Sequence, residues 1–277
     1  MVRRLGLLFV VLGALAVVPA ASAAYPTPFA VQGPTALPNL DGSLHFVAKK
    51  LGSGTRIEAM DAQNAVVMSR TVPGAFGVAR ITQEGLTGGL FADGSAFVLQ
   101  SVGLKSTSRF MIVGAKDLVP RSTISLKGTF GFDALSPDGS RLYLIQHTSA
   151  RDIQHYIVRA YDLKARKLLP GRIADKSQQG WVMQGFAVDR VTSPDARWVY
   201  TLYSNPGGYP FVHALDAARG IAHCIGVPWR GAEGEAWNMR LALQLDGKSL
   251  AVNQGSGAGF IAIDTSNWKI SYAKGSS

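Results

Sequence analysis

Apolar residues fall in short strand-length runs along most of the chain, and the runs end at Asp, Gly, Pro or Ser. "RLYLIQ" (141–146), "RWVYTLY" (197–203) and "SAFVLQS" (95–101) are the clearest runs. They are apolar at successive positions, as expected of strands covered on both faces. No 3.6-residue period persists anywhere after the first two dozen residues. The pattern predicts an all-β chain of many short strands.

The strands recur in units. Five segments align on one aspartate each: Asp41, Asp93, Asp138, Asp195 and Asp246, spaced 52, 45, 57 and 51 residues apart. A second aspartate follows in every unit, at Asp61, Asp117, Asp162, Asp216 and Asp264, offset by 20, 24, 24, 21 and 18 residues. Self-similarity at a period near 50 is the mark of a propeller or related array. An aspartate at a turn accepts backbone N–H bonds two residues on, and glycine follows where φ is positive. Both aspartates therefore read as hairpin anchors, not acids.

Each unit accommodates four strands. In the third, "TFGFDAL" is followed by the turn "SPDG", then "RLYLIQ", "HYIVRAYDL", the turn "KARK" and "LLPGRIAD". Radial closure of such units hides long sheet edges. The expected architecture is a single β-propeller of five four-stranded blades, at about 31–78, 79–128, 129–176, 182–230 and 236–275. The fifth unit contains its own last strand, "KISYAK", so a strand donated by the N-terminus is not required, although "YPTPFAVQ" could pair there.

"LSPDGSRLYLIQ" with "YIVRAYDLKARKLLPGRI" resembles the repeat of secreted bacterial YVTN-type and lactonase-type β-propellers, and more loosely TolB-type repeats. Units three and four carry the resemblance best; the others match at the aspartates and the strand pattern. The resemblance implies the architecture. Propellers of this kind include both enzymes and binders, so it transfers no active site. This chain has fewer units than those families usually have.

The first residues are of a different kind. Arg3 and Arg4 precede an apolar run from Leu5 to Val18, then Pro19 and the small-residue pattern Ala21-Ser22-Ala23. This is expected to be a secretory signal peptide, residues 1–23, with 24–277 as the propeller domain. The run falls short of the roughly 20 residues that span a bilayer. Export to the periplasm or the extracellular space follows, and no membrane span is expected. Without Arg3 and Arg4 the formal charge falls from +10 to +8, from 26 basic and 18 acidic residues. That balance favours acidic partners, but the basic residues are dispersed and no nucleic-acid partner is expected. The single cysteine, Cys224, cannot form an internal disulfide and reads as a small buried residue in the strand-like "IAHCIGV".

The aspartate pattern removes ten carboxylates from candidacy. The remaining eight are Glu58, Glu84, Asp133, Asp152, Asp175, Asp189, Glu233 and Glu235. A propeller glycosidase would set two carboxylates on inner strands. Asp133 and Asp189 stand five and six residues before their turn aspartates. They are out of phase, poor as an acid/base pair, and better suited to salt bridges with Arg190 or Arg240. Asp133, Asp189, Glu233 and Glu235 remain weak catalytic candidates for a glycosidase- or lactonase-like hydrolase, the alternative function. No metal-ligand spacing appears; His147, Asp152 and His155 around one loop come nearest. No cofactor is expected.

Aromatic residues mark the irregular connections. Trp181 lies in "KSQQGWVMQGF", Trp229 and Trp237 in "PWRGAEGEAWNMR", and Tyr209 in "SNPGGYPF". Tyrosine and tryptophan offer flat apolar faces with a hydrogen-bonding tip. The expected function is non-catalytic binding of a protein or cell-envelope glycan by a monomer. Its ligand-binding residues would be Trp181, Tyr209, Trp229, Arg230, Trp237 and Arg240.

Overall fold

A computed structural model describes residues 30–82, 85–103, 106–175, 177, 182–205, 208–228, 240–243, 247–253 and 260–273. Among them the regular structure is all β, arranged as five antiparallel sheets. The first sheet contains β1 (Leu37–Pro38), β2 (Leu44–Leu51), β3 (Gly54–Asp61) and β4 (Val66–Pro73). The second contains β5 (Phe76–Arg80), β6 (Thr87–Gly88), β7 (Ala96–Ser101), β8 (Thr107–Gly114) and β9 (Pro120–Lys127). The third is built from β10 (Phe130–Leu135), β11 (Arg141–His147), β12 (His155–Asp162), β13 (Lys167–Leu168) and β14 (Met183–Gln184). The fourth comprises β15 (Phe186–Thr192), β16 (Trp198–Ser204), β17 (Phe211–Asp216) and β18 (Ile221–Gly226). The fifth holds β19 (Arg240–Leu243), β20 (Ser249–Asn253), β21 (Phe260–Asp264) and β22 (Ile270–Ala273).

The sheets are meanders of neighbouring strands, with β6 added at the inner edge of the second. They pack face to face in chain order, as propeller blades do. Buried clusters join the first sheet to the second, the second to the third, the third to the fourth, and the fourth to the fifth. Among the described residues no buried cluster joins the fifth sheet to the first. The strand patterns reflect this. Every residue of β7 and β17 is buried, whereas β20 alternates between buried and half-exposed positions. No helix among the described residues is long and apolar enough to cross a membrane.

The repeated aspartates make the hairpins. Oδ1 of Asp41, Asp93, Asp138 and Asp195 accepts the backbone N–H two residues on, at 2.9–3.1 Å. Asp61, Asp117, Asp162, Asp216 and Asp264 accept backbone N–H groups in the turns before the fourth strands. Asp246 lies outside the described residues. Hydrogen bonds from the Ser136 hydroxyl and from Ser140 lower the Asp138 carboxyl to about 2. A carboxylate stabilised in this way is a turn anchor, not a proton donor near neutral pH.

Two local expectations change. The fourth strand of the third sheet is not the whole of "LLPGRIAD". Only Lys167–Leu168 forms a strand there, Ile173 makes an isolated bridge to Val158, and β14 pairs with the other end of β12. Pro170 and Gly171 interrupt the ladder, since proline lacks the N–H donor and Gly171 takes a positive φ. The N-terminal segment also pairs elsewhere than in the fifth unit. Val31 exchanges both backbone bonds with Val78 of β5, and the Gln32 side chain reaches Phe76 O. The contact is close enough that a Cβ on Gly77 would lie 2.6 Å from Val31 O.

Candidate functional site

The third and fourth sheets meet across a polar seam. Register sets Arg190, Thr201, His213 and Cys224 directly opposite one another on β15, β16, β17 and β18. Facing residues of an antiparallel ladder share one side of the sheet, so four polar side chains form a row. The row lies between two apolar patches. One contains Tyr143, Val199 and Leu215; the other contains Ile145, Tyr156, Tyr203 and Phe211.

At its inner end the row is locked to the third sheet. Arg190 pairs with the Asp133 carboxylate through Nη2 and donates Nη1–H to the Asp133 carbonyl. Its Nε–H donates to Thr201 Oγ1 at 2.8 Å. Asp133 sits in a β-bulge of β10. The bulge takes its backbone out of the regular ladder, which leaves carbonyl and carboxylate together to grip one guanidinium. The Asp133 side chain is only 3% exposed. Asp189 instead accepts the Arg190 backbone N–H at 2.8 Å. The salt bridge expected from sequence is thus Asp133 with Arg190, and the structure gives Asp133 and Asp189 different tasks.

The outer end is closed by a thiol. Cys224 Sγ lies 3.6 Å from His213 Nδ1, and the Cys224 N–H donates to Asp175 at 3.1 Å. The cross-strand neighbour of Cys224 is His213, whereas His223 precedes it on the same strand. Burial lowers His213 to about 4 and pushes the Cys224 thiol up to about 12. At neutral pH both are uncharged, the opposite of an activated thiolate–imidazolium pair.

A cavity of about 290 Å³ opens on the inner edge of the seam. Ile81, Leu90, Phe132 and Val199 form its apolar wall, with Asp133 and Arg190 among its polar lining. Arg190 and Asp133 are paired with one another at this edge.

The other candidates are dispersed. His155 Nδ1 meets Asp152 at 2.6 Å, while His147 turns inward to Ile153 O at 3.0 Å, so the three do not converge. Among the described residues no three His, Cys, Asp or Glu side chains gather with metal-binding geometry. Tyr209 is 72% exposed, beyond the end of β16 in the connection to β17. Trp181, Trp229, Arg230 and Trp237 lie outside the described residues, as do Glu84, Glu233 and Glu235. Arg240 begins β19, where it pairs with Asn253 through the backbone. Sequence reasoning did not find the row Arg190–Thr201–His213–Cys224, nor Trp198 and Trp268, which pack at 5.3 Å.

No protein-family model matches the sequence, and no curated protein matches it. Solved structures do. The chain is similar to the dihydro-heme d1 dehydrogenase NirN in complex with DHE (TM-score 0.51, 12% identity, 95% of this chain and 47% of that one). It is also similar to the Cps50 (Swd1) beta-propeller domain of Myceliophteria thermophila (TM-score 0.49, 9% identity, 88% and 72%). A third similarity is to TolB from Acinetobacter baumannii (TM-score 0.45, 14% identity, 83% and 52%). The chain spans about half the length of the NirN and TolB chains. At such identities the likeness is one of fold alone, and the five meander sheets packed in chain order are of the β-propeller kind.

Proposed function

We propose that the chain is an exported, non-catalytic propeller of five blades that binds a partner protein. The binding face would be formed by the loops between second and third strands and by the connections between sheets. Residues 1–23 direct export to the periplasm or beyond, and residues 24–277 form the propeller, related in its repeat to the YVTN- and lactonase-type proteins. The observation that carries this reading is Tyr209. It is 72% exposed in the connection between β16 and β17, whose bodies are buried. An exposed aromatic on a rigid scaffold is a characteristic anchor of protein interfaces. Trp181, Trp229, Arg230, Trp237 and Arg240 belong to the same proposed surface. The excess of basic residues favours an acidic partner.

The carboxylates support binding over hydrolysis. Nine turn aspartates hold backbone amides, Asp133 is clamped by Arg190, and Glu58 lies between Lys49 at 2.6 Å and Arg56 at 3.0 Å. The test is in-cell photocrosslinking from position 209, followed by affinity measurement with the captured protein. Tyr209→Ala and the Trp229→Ala/Trp237→Ala double variant should each weaken binding by about tenfold or more, a 1.4 kcal/mol effect typical of an aromatic hot spot. A partner that binds the triple variant as it binds the parent chain uses another face.

A further inference from the structure

A second aromatic group gathers at the opposite end of the fourth sheet from Tyr209. Trp198 opens β16, and Tyr200, two residues on, shares its face of the strand. The two rings are nearly parallel, with centroids 6.0 Å apart and planes 10° apart. Trp268, in the turn between β21 and β22, stands at 68° to Trp198 and 62° to Tyr200. It thereby ties the fifth sheet to the fourth. Its backbone has φ +62°, at a place where the corresponding turns put Arg166 and Gly220. A bulky residue in that conformation is unusual, and here it backs the indole of Trp198.

In front of Trp198 and Tyr200 lies a cavity of about 310 Å³, whose polar lining includes Ser193, Asp195 and Thr265. Trp198 is half-buried. Asp195 is exposed and uses Oδ1 for its turn bonds, to the Ser193 hydroxyl at 2.5 Å and the Arg197 N–H at 3.1 Å. Asp195 also lines the cavity.

We propose that this cavity is a carbohydrate subsite. One pyranose ring lays its C–H face against Trp198 and donates hydroxyl hydrogen bonds to Asp195. A flat apolar surface beside an ionised acceptor and two hydroxyls matches a ring that is apolar on its faces and polar around its rim. The cavity is at the small end of ligand sites, the size for a single ring and not an extended chain. An alkylammonium ligand would also suit an aromatic wall beside a carboxylate. The Arg197 guanidinium, 5.6 Å from the centre of the Trp198 ring, disfavours a second cation there. The subsite is independent of the loop face and of the protein-binding reading.

The test is titration of the mature chain with maltose, cellobiose and chitobiose, followed by calorimetry and tryptophan fluorescence. At least one disaccharide should give a saturable signal. Asp195→Asn keeps an Oδ1 acceptor for the turn and should weaken that binding by about tenfold. Trp198→Leu should abolish the fluorescence change and the binding. Where Trp198→Leu also lowers the melting temperature, Asp195→Asn decides the matter. Tyr209→Ala should leave sugar binding unchanged. The proposal is overturned if none of the three sugars gives a saturable signal, or if Asp195→Asn binds as tightly as the parent chain.

Discussion

The first and second sheets and the third and fourth both meet through buried clusters, but the two junctions differ in chemistry. The former is held by Phe46, Ile57, Phe76, Phe97 and Leu99, with the Phe46 and Phe97 rings stacked at 4.4 Å. In the latter, the row from Arg190 to Cys224 divides the apolar contact into two patches, bridged by the Arg190–Asp133 clamp. Apolar contact is non-directional and tolerates sliding. A buried guanidinium held by a carboxylate, a carbonyl and a hydroxyl fits only one placement of two sheets. The difference teaches that stability and placement are supplied by different residues within one repeat architecture.

The strongest way to break this comparison is to remove one partner of the clamp. Arg190→Met should cost about 3–5 kcal/mol in urea unfolding, because Asp133 is left buried without a counter-charge. Phe97→Ala, at the apolar junction, should cost a similar 3–5 kcal/mol through the cavity it leaves. The two part in their rescue. Asp133→Leu combined with Arg190→Met should recover most of the loss, since an apolar pair can replace a buried ion pair at little net cost. A double variant no more stable than Arg190→Met alone would show that the carbonyl and Thr201 bonds, not the ion pair, hold the junction.

Acid sharpens the comparison next. Burial holds His213 and His147, both at the third–fourth junction, at about 4, against 6.5 for the free side chain. Desolvation is the largest cause of the lowering of His213; Arg190 and His223 act in the same direction, while Asp133 and Asp175 pull it upward. Above pH 6.5 folded and unfolded chains are both neutral at these positions, and the full contribution is present. Below it the unfolded chain protonates first, so stability falls from about pH 6.5 to about pH 4, by on the order of 3 kcal/mol for each histidine. His213→Leu should remove about half of that pH dependence. An unchanged slope of unfolding free energy against pH would show that His213 is not held neutral by the fold.

Much of the architecture is legible in sequence because the hairpins are local. An aspartate and the N–H two residues on are fixed by a few consecutive residues, and the five-fold recurrence of that arrangement exposes the repeat. The seam is harder to read because its members come from four strands and meet only through register. One signal was present. Asp133 stands five residues before Asp138, and Arg190 five before Asp195, so the pair occupies the same position in adjacent units. Comparing Asp133 with Asp189, acid with acid, passes over the cation at the equivalent position. Trp198 and Trp268 escaped notice for another reason. They sit in a regular strand and a hairpin turn, whereas irregular connections drew the search for aromatic residues.

The smallest expected effect lies in the turn where the repeat departs from its own rule. After the first aspartate of each unit, Gly42, Gly94, Gly139 and Gly247 take φ between 66° and 71°, while the fourth unit has Ala196 at φ 57°. A Cβ in the left-handed region crowds the following carbonyl by about 1–2 kcal/mol, and glycine loses about 0.5–1 kcal/mol more chain entropy on folding. Ala196→Gly should therefore stabilise the protein by about 0.5–1 kcal/mol, read as a higher urea midpoint with an unchanged slope. The reciprocal change in the third sheet is harsher. A Cβ at Gly139 would lie 2.9 Å from the Phe91 ring, so Gly139→Ala should cost more than Ala196→Gly gains. Equal and opposite shifts would mean that backbone strain alone sets both, and that Phe91 yields freely.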